Sequence, residues 1–278
     1  MNAPAMQRLW VEGVALWSPA LPGWARAAPA FRGDRTLAGD TPPAARPSPG
    51  LLAANERRRA PDGVLVALEV AAAAVALAGR DARNLPSVFA SAQGDLAVVD
   101  AQCSTLAADP WLLSPTRFHH SVHNAASGYW AMATGCHAAS SAVAGFEASF
   151  ALGLLEAATQ AATEHTPVLL VGFDTDARGA LASVTRSRGL LGVALVLAPQ
   201  RSAAARAVID WAVQPGTAAL PPLHSSAAQA LAGNAMADAL PLFEALAHLE
   251  AGGAGHQFEL PLGPVGLLNL RTMRLPTT

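Results

Sequence analysis

Apolar and polar positions change period several times along this chain. Val168 to Val171 is a continuous apolar run with Gly172 behind it, the pattern of a central strand buried on both faces of a parallel sheet. Before it, Glu147 to Thr163 puts Phe150, Leu154, Leu155 and Ala158 at helical spacing, and the small and β-branched residues Ser140 to Phe146 predict a short strand. Strand, sharp turn, helix and strand make a βαβ unit, so the expected class is α/β.

The flanking segments extend this pattern. Trp10 to Trp17 reads as an initial strand, residues 41–50 (TPPAARPSPG) as a Pro-rich loop, and the PSVFASAQG segment as a further strand. Val64 to Ala78 is apolar all round except Glu69, and at fewer than the roughly twenty residues a bilayer requires it predicts a buried core helix. GLLGVALVLAP and AVIDWAV predict two more strands. Residues 214–278 read as a divergent end: a helix from Ser226, broken at Pro241, then the strand pair QFELPLG and GLLNLRTMR. One domain over residues 1–278 is expected.

Composition narrows the function classes. The chain of 278 residues is 52% hydrophobic and 14% charged, apolar for a soluble protein and suited to one that buries surface in a complex. A net charge of −2 offers no basis for nucleic-acid binding. Cys103 and Cys136 make neither a disulfide framework nor a metal-ligand spacing. The stretch LWVEGVALW is interrupted by Glu12, its flank lacks a clear n-region and no stop-transfer pattern follows, so neither a secretory signal nor an anchor is expected, and a cytoplasmic location is.

The segment from Ser114 to Gly172 carries a resemblance. Ser114, Pro115, Asn124, Gly128, Gly135 and Gly172 stand in the order and register found in β-ketoacyl synthases of the thiolase superfamily, and the match runs without a gap. Ala133-Thr134-Gly135-Cys136 looks like the family's Thr-Ala-Cys nucleophile signature, yet Cys136 lies too far before Val168. In that register the nucleophile position, at the start of the helix, is occupied by Glu147, a poor acyl acceptor beside a thiolate. The second half of a full ketosynthase, with its two activating histidines, has no counterpart: His224, His248 and His256 lack the family's motif contexts.

The resemblance therefore implies a truncated thiolase-like half, a βαβαβ layered mixed sheet with helices on both faces, similar to chain length factors and to short ketosynthase-like proteins of aryl polyene and polyketide pathways. It implies a non-catalytic subunit that pairs with a full-length β-ketoacyl synthase, shapes its acyl tunnel, needs no cofactor or metal, and meets an acyl carrier protein transiently. The implied interface is the strand Ser140, Ser141 and Val143 with Phe146, together with Phe118, Ser121, Val122, His123, Asn124, Tyr129 and Trp130. The basic run Arg57, Arg58 and Arg59 is the implied carrier-protein contact.

Other readings stay open on the residues. Cys136 with His137 or His123 could form a nucleophile and base for an acyltransferase or thioesterase, because such pairs are spatial rather than sequential. Glu147 could assist malonyl decarboxylation. His119, His120 and His123 fall within about one helical turn, as zinc ligands do, but no carboxylate follows in a metalloprotease pattern.

Overall fold

The apolar runs become neighbouring strands of one sheet in the computed structural model, which describes residues 5–34, 46–264 and 266–275. In chain order the strands are β1 (Gln7–Trp17), β2 (Ser87–Ala90), β3 (Ser140–Val143), β4 (Val168–Asp174), β5 (Leu191–Ala198), β6 (Ala207–Pro215), β7 (Gln257–Pro261) and β8 (Gly266–Arg274). They lie side by side as β3-β2-β4-β5-β1-β6-β8-β7. β3 and β4 run parallel to β2, and every other neighbouring pair is antiparallel. The parallel neighbourhood predicted around Val168–Val171 thus extends over three strands only, and β4 continues past Gly172 to Asp174.

The helices are α1 (Trp24–Phe31), α2 (Ala54–Arg59), α3 (Asp62–Ala78), α4 (Leu96–Ala108), α5 (Pro115–Phe118), α6 (Ala125–Thr134), α7 (Ser149–Glu164), α8 (Ser226–Gln229) and α9 (Leu240–Glu250). Two cores sandwich the sheet. On one face Val168, Leu170, Val193, Leu195 and Leu197 pack against α1, α7, α8 and α9. On the other, Leu169, Val171, Phe173, Ala194 and Val196 pack against α3 and α6. Both alternating sets are buried, so β4 from Val168 to Phe173 and all of β5 carry only apolar residues and glycine, as a strand covered on both faces must. Gly172 leaves the space that Met236, Val193 and Phe150 fill: a Cβ there would lie 2.8–3.2 Å from them.

β1 carries a device that the pattern did not reveal. Its register with β5 slips between Val11 and Gly13, so Glu12 is the extra residue of a bulge. The slip keeps Leu9, Val11, Val14 and Leu16 all on the α1 and α7 face despite the change in parity. At Gly13 the backbone of α3 comes so close that a Cβ would stand 2.1 Å from the Ala74 carbonyl oxygen.

Two expectations are corrected. The helix predicted from Ser226 is two helices, α8 and α9, joined by residues 230–239; Pro241 sits in the first turn of α9, where its missing N–H leaves no bond unmade, and does not break it. The strand expected to reach Phe146 ends at Val143, and a 3-10 turn Phe146–Ala148 precedes α7, which opens at Ser149 rather than Glu147. The segment from Ser114 to Gly135, for which no element was predicted, contains two helices, α5, capped by the Ser114 hydroxyl, and α6. Of the Pro-rich loop, residues 41–45 lie outside the described residues, and 46–50 are neither helix nor strand. No helix among the described residues is long and apolar enough to cross a membrane.

Candidate functional site

The parallel strands β2, β3 and β4 end together, and their C-terminal ends face the start of α7. In open α/β sheets this is where ligands bind. A broad cleft of about 1960 Å³ lies here, lined by Gln93, residues 145–148, Asp176, Arg178, residues 182–188, Leu220, residues 232–235, Asp238 and Pro261. Among the described residues, neither Cys nor His lines it.

The turn between β3 and α7 is the most constrained point of the cleft. Phe146 has a φ of 51°, in the left-handed region, where a bulky side chain costs about 1–2 kcal/mol. Ser149 holds the turn, its hydroxyl donating to the Phe146 carbonyl at 2.7 Å and accepting the Gly145 N–H at 3.0 Å. The Phe146 ring is 75% exposed. Glu147 follows on the lip of the cleft, exposed and with no hydrogen-bond or ion-pair partner among the described residues. The residue in the unusual backbone conformation is therefore Phe146, one position before the predicted nucleophile equivalent.

Behind the turn two buried carboxylates organise the floor. Asp174, at the end of β4, accepts from the Ser91 hydroxyl and the Ala92 N–H, both at 2.9 Å, and its burial pushes its pKa up to about 6. Asp238 accepts the Ala151 N–H of α7 at 3.0 Å while its second oxygen has no partner among the described residues. Burial, with a smaller contribution from Asp174, pushes Asp238 up to about 8. Asn234 ties the same segment down by donating to the carbonyls of Asp174, Arg188 and Gly189. The segment 234–238 is thus bolted across the end of β4. None of these three residues stood out in the sequence, because what marks them is burial and partners more than forty residues away; a lone Asn or Asp in an Ala-rich stretch carries no local signal.

The signs of these shifts give a testable pH dependence. An Asp whose folded pKa is raised holds its proton longer in the folded than in the unfolded state. Below about pH 4 both states are protonated and no difference exists; stability then falls with rising pH until the folded pKa is passed, by about 1.4 kcal/mol per pH unit per proton. Asp238→Asn is isosteric with the neutral acid, so urea unfolding between pH 6 and pH 8 should show a flatter decline than the natural chain, the Asp174 contribution having ended near pH 6. An identical slope in the variant would mean that Asp238 is already ionised in the folded chain.

The predicted interface residues divide. Phe118, Val122 and Phe146 are exposed apolar side chains, 62%, 44% and 75% accessible, and Met132 on α6 joins them at 72%. Asn124 and Ser140 are exposed, and Ser121, His123, Tyr129, Ser141 and Val143 are half-buried. Trp130 is corrected: it is 2% exposed, packed in the core under α3, and its ring is not available to a partner. Among the described residues β3 is an edge strand, paired with β2 alone. The Ala139 and Val143 carbonyls accept from Ser87 and Ser91 of the β2 segment, so by alternation the backbone N–H and C=O of Ser140 and Ala142 point outward.

The other candidates lie apart from the cleft. Cys136 is buried just after the C-cap Gly135 of α6, its thiol donating to the Leu85 carbonyl at 3.6 Å, while His137 is exposed. Three imidazoles make different bonds: His120 Nε2 meets the Tyr129 hydroxyl at 2.7 Å, His119 Nε2 meets it at 3.5 Å, and His123 Nε2 meets the Ser91 carbonyl at 2.8 Å. Burial, and then the His119 charge, lower the His120 pKa. The basic run sits on α2, where Arg57 donates to the Pro49 carbonyl at 3.2 Å and Arg58 to Asn55, leaving Arg59 exposed without a side-chain partner among the described residues.

Comparison with known proteins agrees with this architecture. Residues 34–248 match the family described as beta-ketoacyl synthase, N-terminal domain. No curated protein matches the sequence. Among solved structures, a ketosynthase in complex with its chain length factor from Xenorhabdus doucetiae is similar at 21% identity and a TM-score of 0.68, over 96% of this chain and 99% of that chain. The ishigamide ketosynthase/chain length factor is similar at 16% identity and a TM-score of 0.72, over 96% and 99%. A type II polyketide acyl-carrier protein in complex with its ketosynthase, bound to a hexaketide, gives 10% identity and a TM-score of 0.73, over 98% and 100%. At these identities the structures establish the fold.

Proposed function

The chain belongs to the β-ketoacyl synthase N-terminal domain family, and from that premise we propose that it is a non-catalytic, chain-length-factor-like subunit. It pairs with a full β-ketoacyl synthase in aryl polyene or polyketide chain elongation and forms one wall of the acyl tunnel. The observation that carries this reading is the cleft at the β3–α7 turn. Acyl transfer there needs a thiol nucleophile and imidazoles that activate it and the extender unit. The turn instead presents Phe146 and Glu147, no Cys or His among the described residues lines the cleft, and Cys136 is buried elsewhere with its thiol bonded to a backbone carbonyl.

Surface and partner follow from the same geometry. The edge strand β3 leaves outward backbone groups unpaired beside exposed Phe118, Val122, Met132 and Phe146, a combination that a second sheet edge would cover. Similar chains in solved structures occur in complexes of a ketosynthase with a chain length factor. A ketosynthase–carrier protein complex is among the similar structures, which supports a transient carrier-protein contact.

Co-expression with a full-length ketosynthase tests the reading. Size-exclusion chromatography with mass determination should give a one-to-one complex, and Cys136→Ser should leave its turnover within about twofold. A homodimer or monomer that becomes acylated at Cys136 would replace the subunit by an enzyme.

A further inference from the structure

Two imidazoles and a phenol meet at a point apart from the cleft. His119 closes the end of α5, His120 follows it, and Tyr129 stands on α6. The Tyr129 Oη lies 2.7 Å from His120 Nε2 and 3.5 Å from His119 Nε2, and the two imidazole centroids are 4.1 Å apart. A phenol has one proton, so it donates at most one of these contacts, and 3.5 Å is the limit of a hydrogen bond. Three atoms with lone pairs, from two segments, therefore face one another with one full bond among them. His123, the third imidazole of the sequence trio, is turned elsewhere, because its Nε2 must carry a proton to donate to the Ser91 carbonyl at 2.8 Å. Counting imidazoles, thiols and carboxylates alone, no group of three among the described residues could hold a metal ion. Here the third donor is a phenol.

We propose that His119, His120 and Tyr129 form a binding site for a divalent transition-metal ion of the zinc or copper class, held by the two Nε2 atoms and the phenolate oxygen. Metal–ligand bonds of about 2.0–2.1 Å in tetrahedral directions place the donor atoms roughly 3.3–3.4 Å apart. The 3.5 Å edge already has nearly that length, and the 2.7 Å edge reaches it by opening about 0.6 Å. Imidazole suits zinc and copper, and a given set of nitrogen and oxygen donors binds copper the tighter. Burial, then the His119 charge, lower the His120 pKa and leave it the neutral ligand that a metal requires. Two carboxylates bear on the trio, Asp95 on His120 and Glu56 on Tyr129, a field that favours a cation. His119 is exposed, so the fourth position opens outward to water. On binding, the Tyr129 O–H bond breaks, the oxygen bonds the metal and the proton leaves to solvent. Burial, then Glu56, hold that proton in place until the metal displaces it.

The site belongs to this chain by itself and does not rest on the subunit reading, so the full chain alone, without a histidine tag, tests it. Isothermal titration with Zn²⁺ at pH 8, above the usual imidazole range, should show one saturable equivalent. Repeated in buffers of different ionisation enthalpy, it should show one proton more released per ion by the natural chain than by Tyr129→Phe. Tyr129→Phe and His119→Ala should each weaken binding by roughly tenfold or more, at least what the loss of a group supporting a ligand costs. With Cu²⁺ the natural chain should gain a phenolate-to-copper charge-transfer band in the visible, a reading that needs no variant and that Tyr129→Phe should lack. His256→Ala dismantles a second imidazole pair, His248 and His256 with centroids 6.1 Å apart, and should change none of these readings. His119 is exposed and Tyr129→Phe keeps the ring, so both variants should fold, which circular dichroism of the metal-free proteins checks. The proposal is overturned by an absence of saturable binding or of the copper band, or by unchanged affinity in Tyr129→Phe or His119→Ala. A loss in His256→Ala equal to that in His119→Ala, the mark of an adventitious ion only, overturns it as well.

Discussion

Ala142→Pro should leave the chain folded and abolish its assembly with a ketosynthase. Within β3 the groups that bond to β2 belong to Ser141, Val143 and the preceding Ala139, as the Ser87-to-Ala139 bond at 3.0 Å and the Ser91-to-Val143 bond at 3.1 Å require. The N–H of Ala142 points away from the sheet, where proline is tolerated on an edge strand. In a complex that continues the sheet across β3, the same substitution removes a donor, leaves the facing carbonyl of the partner unpaired and places a ring in the gap. Together these cost roughly 3 kcal/mol, or about a hundredfold in Kd. Ser141→Pro is the contrasting variant: it removes a donor to β2 and should lower the unfolding temperature of the isolated chain. If Ala142→Pro co-purifies with a ketosynthase at natural stoichiometry and affinity, the edge of β3 is not the interface.

That such a test can be designed from one strand shows where the sequence was informative. The continuous apolar runs of β4 and β5, the apolar helix α3 and the closing pair β7 and β8 were all legible, because burial on both faces or a clear strand period leaves a local signature. Helix α1 was not foreseen: it lies between a Gly and a Pro-rich stretch, contains Pro29, and is held by Trp24, whose ring meets both Phe31 and Phe243 far along the chain. The antiparallel direction of β5 was equally invisible, since an apolar strand reads the same in both directions. At the site, the register of residues 114–172 gave the order strand, turn, helix but ran the strand to Phe146 and opened the helix at Glu147, where β3 ends at Val143 and α7 opens at Ser149; the carboxylates Asp174 and Asp238 find their partners only when distant segments meet. Trp130 shows the converse error, an aromatic residue assigned outward that the fold needs inside, under α3.

The largest effect on stability is expected at the bulge of β1. Glu12 is fully buried at the bulged position, and Arg80, immediately after the left-handed Gly79 that ends α3, meets it with both forks, Nε to Oε2 at 2.7 Å and Nη2 to Oε1 at 2.6 Å. The Ser202 hydroxyl also donates to Glu12, so one carboxylate joins β1, the end of α3 and the loop between β5 and β6. Arg80→Met keeps most of the aliphatic stem but leaves a buried carboxylate without its counter-charge, which costs on the order of 3 kcal/mol in a partly solvated pair of this kind. The double variant Glu12→Leu with Arg80→Met removes the charge as well as its partner, so it should be appreciably more stable than Arg80→Met alone, because much of the loss in the single variant is the penalty of the orphaned ion. Urea unfolding at neutral pH of the natural chain, the two single variants and the double variant measures the coupling directly. Single and double variants of equal stability would mean that Glu12 finds water or protonates once Arg80 is gone. α3 would then be held against β1 by packing alone, through the close approach at Gly13.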